Sequence, residues 1–240
     1  MPRRAERGRC ATGIEGLDNI LGGGIPCSSV VLVGGGCGTG KTTLGLEFLI
    51  RGVMSGEPGL LVTTVESPEK LLSNAPRFIF FQDSMLAKGK LGIVTWQEII
   101  SSCGLSGSDL DEAAIKKISS SLAKQVSANK AKRLVIDTID TPLAEISDEA
   151  LGTMLLVELS DMMYRSDCTA MLISSAEKCE RIEGRVADGI ILMGNLERRG
   201  DLLRTMQVVK MKGTAHSRSK YVVDLTEAGV LVTPLLKGAP

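Results

Sequence analysis

Val30-Val31-Leu32-Val33-Gly34-Gly35-Gly36-Cys37-Gly38-Thr39-Gly40-Lys41-Thr42-Thr43 decides how the rest of this 240-residue chain is read. Gly35 opens and Gly40-Lys41-Thr42 closes the phosphate-loop pattern G-x-x-x-x-G-K-[ST]. A β-branched run leads in, and Leu44, Phe48 and Leu49 follow at helical intervals, so the order strand, loop, helix is predicted. Gly35, Gly36, Gly38 and Gly40, with Cys37 and Thr39 between them, let successive backbone N–H groups turn toward one anion. The helix that starts near Lys41 adds its positive end. In this pattern Lys41 reaches the β- and γ-phosphates and the Thr42 hydroxyl ligates Mg²⁺, with Thr43 beside it.

Composition narrows what surrounds that loop. Hydrophobic residues make up 43% of the chain, ample for a real core, and formal net charge is zero, which argues against a protein that coats nucleic acid through bulk charge. The six cysteines show no C-x-x-C pair and no histidine at metal-ligand spacing, the pattern of a reduced, cytoplasmic chain without structural zinc. No apolar run reaches the ~18 residues of a membrane span, so no membrane partner is expected. Residues 1–11 carry Arg3, Arg4, Arg7 and Arg9 against Glu6 and read as a flexible basic arm, leaving 12–240 as one domain.

Outward from the loop, the first helix should stop near Gly56 and Pro58. Leu60 to Val65 reads as the next strand and leaves Glu66 at its carboxyl end, the edge where open α/β sheets bind ligands. Ser67 and Pro68 suit the cap and first position of another helix. Phe78, Phe80 and Phe81 cluster as core at a helix end, and Leu91 to Trp96 reads as a strand. Asp109 with Glu112 forms a capping-box-like helix start. Leu134-Val135-Ile136-Asp137 is an apolar strand ending in a carboxylate, and a hard Asp137 oxygen is what a water-linked Mg²⁺ beside a triphosphate requires. Ala170 to Ile173 is a further strand, ending in Ser174 and Ser175, which read as turn formers or as contacts to the terminal phosphate. Beyond residue 188 the strand-helix rhythm gives way to strands at Gly189–Met193, 202–211 and 221–225, the first two joined by the polar turn 195–201.

That last region is basic: Arg198, Arg199, Arg204, Lys210, Lys212, Arg218 and Lys220 face only Glu197 and Asp201. Lys210 and Lys212, two residues apart, share a strand face just before a loop with the chain's one histidine, His216. They read equally well as phosphate contacts and as the solvated side of an edge strand.

Several ordered segments, Thr12-Gly13-Ile14 through Leu21-Gly22-Gly23-Gly24-Ile25-Pro26, the phosphate loop, Glu66-Ser67-Pro68-Glu69, Ile136-Asp137, Val186-Ala187-Asp188 and 208–218, resemble the KaiC-like branch of the RecA superfamily of ATPases over essentially the whole chain. The resemblance implies an α/β RecA-like core, a mostly parallel sheet between helices with an antiparallel C-terminal extension. It implies ATP and Mg²⁺ as ligands, and a homo-oligomeric, hexameric ring with nucleotide held between neighbours. Lys41, Thr42 and Asp137 match the phosphate and Mg²⁺ residues. Lys210 and Lys212 match the basic pair that reaches the neighbour's γ-phosphate, with His216 and Arg218 in the loop beyond. The family often has two adjacent glutamates after the second strand. Here Val65 stands in place of the first, leaving Glu66 as catalytic carboxylate and implying slow hydrolysis. The resulting expectation is a nucleotide-dependent regulatory ATPase with a protein partner, the alternatives being a DNA-binding recombinase-type ATPase or a non-hydrolysing scaffold.

Overall fold

The computed structural model describes residues 8–74, 76, 79, 81, 84–87, 89–105, 110–146, 148–175, 182–198 and 200–235. In order, the elements are β1 (Arg9–Cys10), α1 (Leu17–Ile20), β2 (Ile25–Pro26), β3 (Val30–Gly35), α2 (Lys41–Met54), β4 (Gly59–Thr63), α3 (Pro68–Asn74), α4 (Ser84–Ala87), β5 (Leu91–Thr95), α5 (Trp96–Ser102) and α6 (Glu112–Ala128). They continue with β6 (Arg133–Asp137), α7 (Asp140–Ala144), α8 (Glu149–Ser166), β7 (Thr169–Ser174), α9 (Ile182–Val186), β8 (Gly189–Arg198), β9 (Asp201–Met211), β10 (Lys220–Thr226) and β11 (Gly229–Pro234).

Nine of these strands form one sheet in the order β11-β10-β9-β8-β3-β7-β6-β4-β5. From β8 to β5 every pairing is parallel, and β9, β10 and β11 add antiparallel strands at the other side. The expected mostly parallel sheet with an antiparallel extension is what the chain forms. The two-residue alternation of strand side chains divides the core into two layers. On β3, Val31 and Val33 join the layer that holds Leu44, Phe48 and Leu49 of α2, whereas Val30 and Leu32 join the layer of Ile115, Ile118 and Leu122 of α6 and Leu155 and Leu159 of α8. A strand covered on both faces must be apolar throughout, which is why β3 reads as a continuous run rather than an alternation.

Several local expectations need correction. Arg9 and Cys10, placed in a solvated arm, pair with Pro26 and Ile25. Arg9 Nη1 also donates to the carbonyls of Leu21 and Gly24 and to Thr214 Oγ1, each at 3.0 Å. The cap of α6 is Asp111, whose side chain accepts the Ala114 N–H at 2.7 Å, so the capping residue lies two positions after Asp109, which falls outside the described residues. The β4 strand stops at Thr63, two residues before Val65, and the turn assigned to 195–201 is mostly strand, since β8 runs to Arg198 and β9 starts at Asp201. β10 covers β9 at Thr205, Met206 and Gln207, and Lys210 lies beyond that pairing. Phe81 packs against the core, while Phe78 and Phe80 fall outside the described residues.

Two buried charged residues tie the segments around the loop helix together. Arg133, 2% exposed, donates to Glu57 (2.6 Å), the Phe48 carbonyl (2.8 Å) and the Ala11 carbonyl (2.8 Å), with its guanidinium 4.7 Å from the centroid of the Phe48 ring. Glu47, fully buried on α2, accepts the Val230 N–H at 2.6 Å and the Arg51 guanidinium at 3.1 Å. Burial pushes its carboxyl above the ordinary glutamate value, and the Val230 and Arg51 bonds oppose that. Through Glu47 the C-terminal hairpin is fastened to the helix that follows the phosphate loop.

Candidate functional site

The phosphate loop turns between the end of β3 and the start of α2, at the carboxyl edge of the parallel strands. Glycine is required at two of its corners. Gly35 has φ +150° and a Cβ there would overlap the Met193 carbonyl; Gly40 has φ +97° and caps α2, with Leu225 against the place of its absent Cβ. At Gly38, φ +74°, a Cβ would meet nothing within 4 Å, so the loop's middle faces open space. Thr39 is buried and its hydroxyl donates to the Gly36 carbonyl at 3.0 Å, fixing the loop from inside. Lys41 Nζ lies over the loop, donating to the carbonyls of Gly35 (2.6 Å) and Gly36 (2.8 Å). Its ammonium thus sits where it can exchange backbone oxygens for phosphate oxygens. Cys37 is exposed on the loop.

Thr42 and Asp137 lie side by side. The Thr42 hydroxyl hydrogen-bonds to the Asp137 carboxylate, which has come from the end of β6, two strands away from β3. Burial pushes the Asp137 carboxyl above its ordinary value; the Thr42 bond and the Lys41 charge pull it down, and Glu66 and Asp140 push it up again. A half-buried carboxylate beside a hydroxyl offers hard oxygens, the ligand type a divalent cation takes, while among the described residues no three acidic, histidine or cysteine side chains gather closely enough to hold a metal ion by themselves. Ser174 and Ser175 belong to this neighbourhood in a different way: the Ser174 hydroxyl and the Ser175 N–H donate to the two oxygens of Asp140 at 2.8 and 2.6 Å. They hold a carboxylate at the strand end.

Glu66 lies beyond β4 with its side chain 38% exposed, 3.2 Å from Lys70, while the Thr63 hydroxyl donates to its backbone carbonyl. Val65 is 74% exposed. The residue in place of the first glutamate therefore projects into solvent, and an apolar group there gains nothing from burial.

The structure divides the basic cluster between opposite ends of the sheet. At the loop end, Arg204 Nε donates to the Gly38 carbonyl at 3.1 Å, and Lys220 lines a cavity of about 470 Å³ with Gly36, Thr39, Gly194, Asn195 and Gln207. Sequence reasoning missed it, although Asn195 and Gln207 are polar interruptions in otherwise apolar strands. Lys210 and Lys212 lie at the other end. Lys210 is paired with Ile190 and Met211 with Gly189, whereas Gly35 is aligned with Met193. At about 3.3 Å per residue, Lys210 stands roughly 10 Å and Lys212 roughly 16 Å toward the amino edge from Gly35. Both are engaged within the chain: Lys210 Nζ donates to the Ala187 carbonyl at 2.6 Å, and Lys212, its side chain exposed, donates through Nζ to Asp188 Oδ1 at 3.0 Å. His216 and Arg218 follow in the loop to β10, where His216 Nδ1 is 3.2 Å from the Ser217 carbonyl and the Arg218 carbonyl accepts from Gln207 at 2.7 Å.

Comparison with known proteins bears on the family and the fold. A family model described as the KaiC ATPase matches residues 10–237. The chain belongs to the KaiC ATPase family. It is 32% identical to a UPF0273 protein of Thermotoga maritima over 236 residues, covering 94% of this chain and 96% of that one. It is 28% identical over 233 residues to the circadian clock oscillator protein KaiC of Parathermosynechococcus lividus, covering 93% of this chain but 42% of the clock protein. Among solved structures, a KaiC-like protein of Pyrococcus horikoshii superposes with a TM-score of 0.80 at 29% identity, over 95% of this chain and 100% of that one. A KaiC-like, RecA-type fold with a phosphate loop makes this an ATP-binding protein of that family. Among the described residues, no helix is long and apolar enough to cross a membrane.

Proposed function

We propose that this KaiC-family chain is a slowly hydrolysing ATPase that assembles as a ring, ATP being held between one subunit's phosphate loop and the next subunit's Lys210 and Lys212. The observation that carries this reading is the separation of the two halves of the site. The loop, Thr42 and Asp137 occupy the carboxyl edge of the sheet, and the two lysines lie toward the amino edge with their ammonium groups directed to Ala187 and Asp188. One chain does not bring them to the same nucleotide, and a second chain stacked edge to edge is the arrangement that would.

Within a subunit, the loop N–H groups and Lys41 hold the phosphates, and Thr42 with Asp137 would hold Mg²⁺, which supplies charge neutralisation between the β- and γ-phosphates. Glu66 positions the attacking water and accepts its proton, and the neighbour's Lys210 and Lys212, with His216 and Arg218 behind them, face the charge that develops on the phosphoryl group. Glu66 is shared with Lys70 and its companion position is Val65, so a single, partly neutralised carboxylate supports slow turnover. Slow hydrolysis joined to assembly makes nucleotide state a timer of subunit contact, the property of a cytoplasmic regulatory protein that signals to a protein partner. The DNA-binding alternative is not favoured, since the chain matches the KaiC ATPase family over residues 10–237 and its formal net charge is zero.

Mass in solution tests the reading. Addition of ATP with Mg²⁺ should convert the protein to a ring, hexameric in this proposal, and ATP with a chelator should not. An unchanged mass at saturating nucleotide would refute assembly.

A further inference from the structure

Asp188 sits just before β8 and spends every polar atom on two other elements. Its N–H donates to the Val30 carbonyl at 2.8 Å and its carbonyl accepts the Lys212 N–H at 2.9 Å. Of its carboxylate oxygens, Oδ2 accepts the Val30 N–H at 3.1 Å and Oδ1 accepts the Lys212 ammonium at 3.0 Å. The preceding residues hold the other lysine: Lys210 Nζ reaches the Ala187 carbonyl at 2.6 Å, with the Gly184 and Arg185 carbonyls each at 3.5 Å. One short stretch, 184–188, therefore seats both cations inside their own chain.

We propose that residues 184–188 form a reserve seat for the two lysines, with Asp188 competing in its own subunit against the γ-phosphate of the neighbour for Lys212. This rests on the reading that the lysines act across a subunit boundary. An ammonium engaged with a carboxylate must leave it to meet a phosphate, and the fraction of chains in which it has left scales the apparent affinity of assembly for nucleotide. The seat is weak enough to give way. The Lys212 side chain is 58% exposed and that of Asp188 25%, so water and salt screen the pair, whereas a terminal phosphate offers more charge and more oxygens. The same carboxylate also grips the first residue of β3, whose far end carries the phosphate loop, so the seat stays fixed to the sheet when the lysine departs.

Asp188→Asn isolates the competing charge. The amide oxygen can still accept the Val30 N–H, and its NH₂ group then meets Lys212 donor to donor, so the backbone bridge is kept and the seat is lost. In the variant, the ATP concentration that gives half-maximal assembly should fall roughly two- to five-fold, the range expected for removing one exposed pair. A merely structural residue would not make assembly easier. Lys212→Ala is measured beside it: if that variant assembles like the original protein, the cross-subunit reading fails; if it assembles poorly but Asp188→Asn gains nothing, the reserve seat alone fails. The double variant should match Lys212→Ala, and an additive gain would overturn the proposal. The unaltered protein gives a second measurement should Asp188→Asn fold poorly. A carbodiimide joins carboxylate to amine only in direct contact, so the Asp188–Lys212 cross-link, read by mass spectrometry, should form without nucleotide and be suppressed by Mg-ATP. A cross-link yield unchanged on ATP-driven assembly would refute the exchange.

Discussion

Replacing Arg133 by Met should cost the fold far more than it costs the site. The side chain is 2% exposed and joins Glu57 of the turn after α2, the Phe48 carbonyl of α2 and the Ala11 carbonyl of the N-terminal segment. Breaking a buried ion pair on one side costs about 3–5 kcal/mol. Glu57 is 39% exposed and rehydrates once it is released, which places this case near the low end, at roughly 3 kcal/mol. For a domain of this size that is a fall in Tm of roughly 6–12 °C. The packing gives a second handle, because a Cβ added at Gly52 would overlap Arg133 Cδ and Nε, so Gly52→Ala is an overpacking change whose cost depends on the arginine. The pair should therefore be non-additive in a thermal or urea denaturation cycle, the Ala costing less in the Met background. Asp137 lies at the other end of β6, about 13 Å away, so ATP affinity measured well below Tm should be retained. A Tm within about 2 °C of the original protein, or strict additivity with Gly52→Ala, would refute the reasoning.

Asp137→Asn should trade function for stability. Because burial raises the folded carboxyl above its unfolded value, the protonated carboxyl contributes stability that is fully present below the unfolded pKa and lost as pH rises through the folded one and the group ionises. The amide still accepts the Thr42 bond and escapes that loss, so the Tm difference in favour of the variant should grow as pH rises above the ordinary aspartate pKa of about 4, while Mg²⁺-dependent stabilisation by ATP disappears; a difference independent of pH would contradict this. Glu66→Gln should suppress phosphate release by about 10²-fold or more with ATP affinity little changed, since shape is kept and the proton acceptor is lost; equal turnover would exclude Glu66 as the catalytic carboxylate.

What the sequence made legible was the part in which chemistry dictates residue type at fixed spacing. The phosphate loop must have glycine where φ is positive and neighbours are close, as at Gly35 and Gly40, and an apolar strand ending in a carboxylate gained its meaning from that loop, so Asp137 was singled out by pattern and the fold sets it beside Thr42. The parallel core followed from continuous apolar runs, and the antiparallel strands from the loss of the helix rhythm. Less legible were features set by tertiary distance. Arg133 opens an apolar strand and resembles any surface cation, and its burial depends on carbonyls of residues 11 and 48 that no local pattern joins to it. The basic residues after 197 form one cluster along the chain, but an antiparallel strand carries its two ends to opposite edges, sending Arg204 to the loop and Lys210 and Lys212 away from it. The β11 strand escaped notice because its pattern is short and its register depends on β10.

The central claim, that the lysines serve a neighbour, is tested most directly by mixing two inactive chains and measuring phosphate release. A Lys41→Ala chain keeps Lys210 and Lys212, and a Lys210→Ala/Lys212→Ala chain keeps the phosphate loop. Co-assembled rings should hydrolyse ATP above the sum of the two variants measured apart, at the interfaces that join an intact loop to intact lysines. No gain, with co-assembly demonstrated by mass, would contradict the account and confine the lysines to their own subunit.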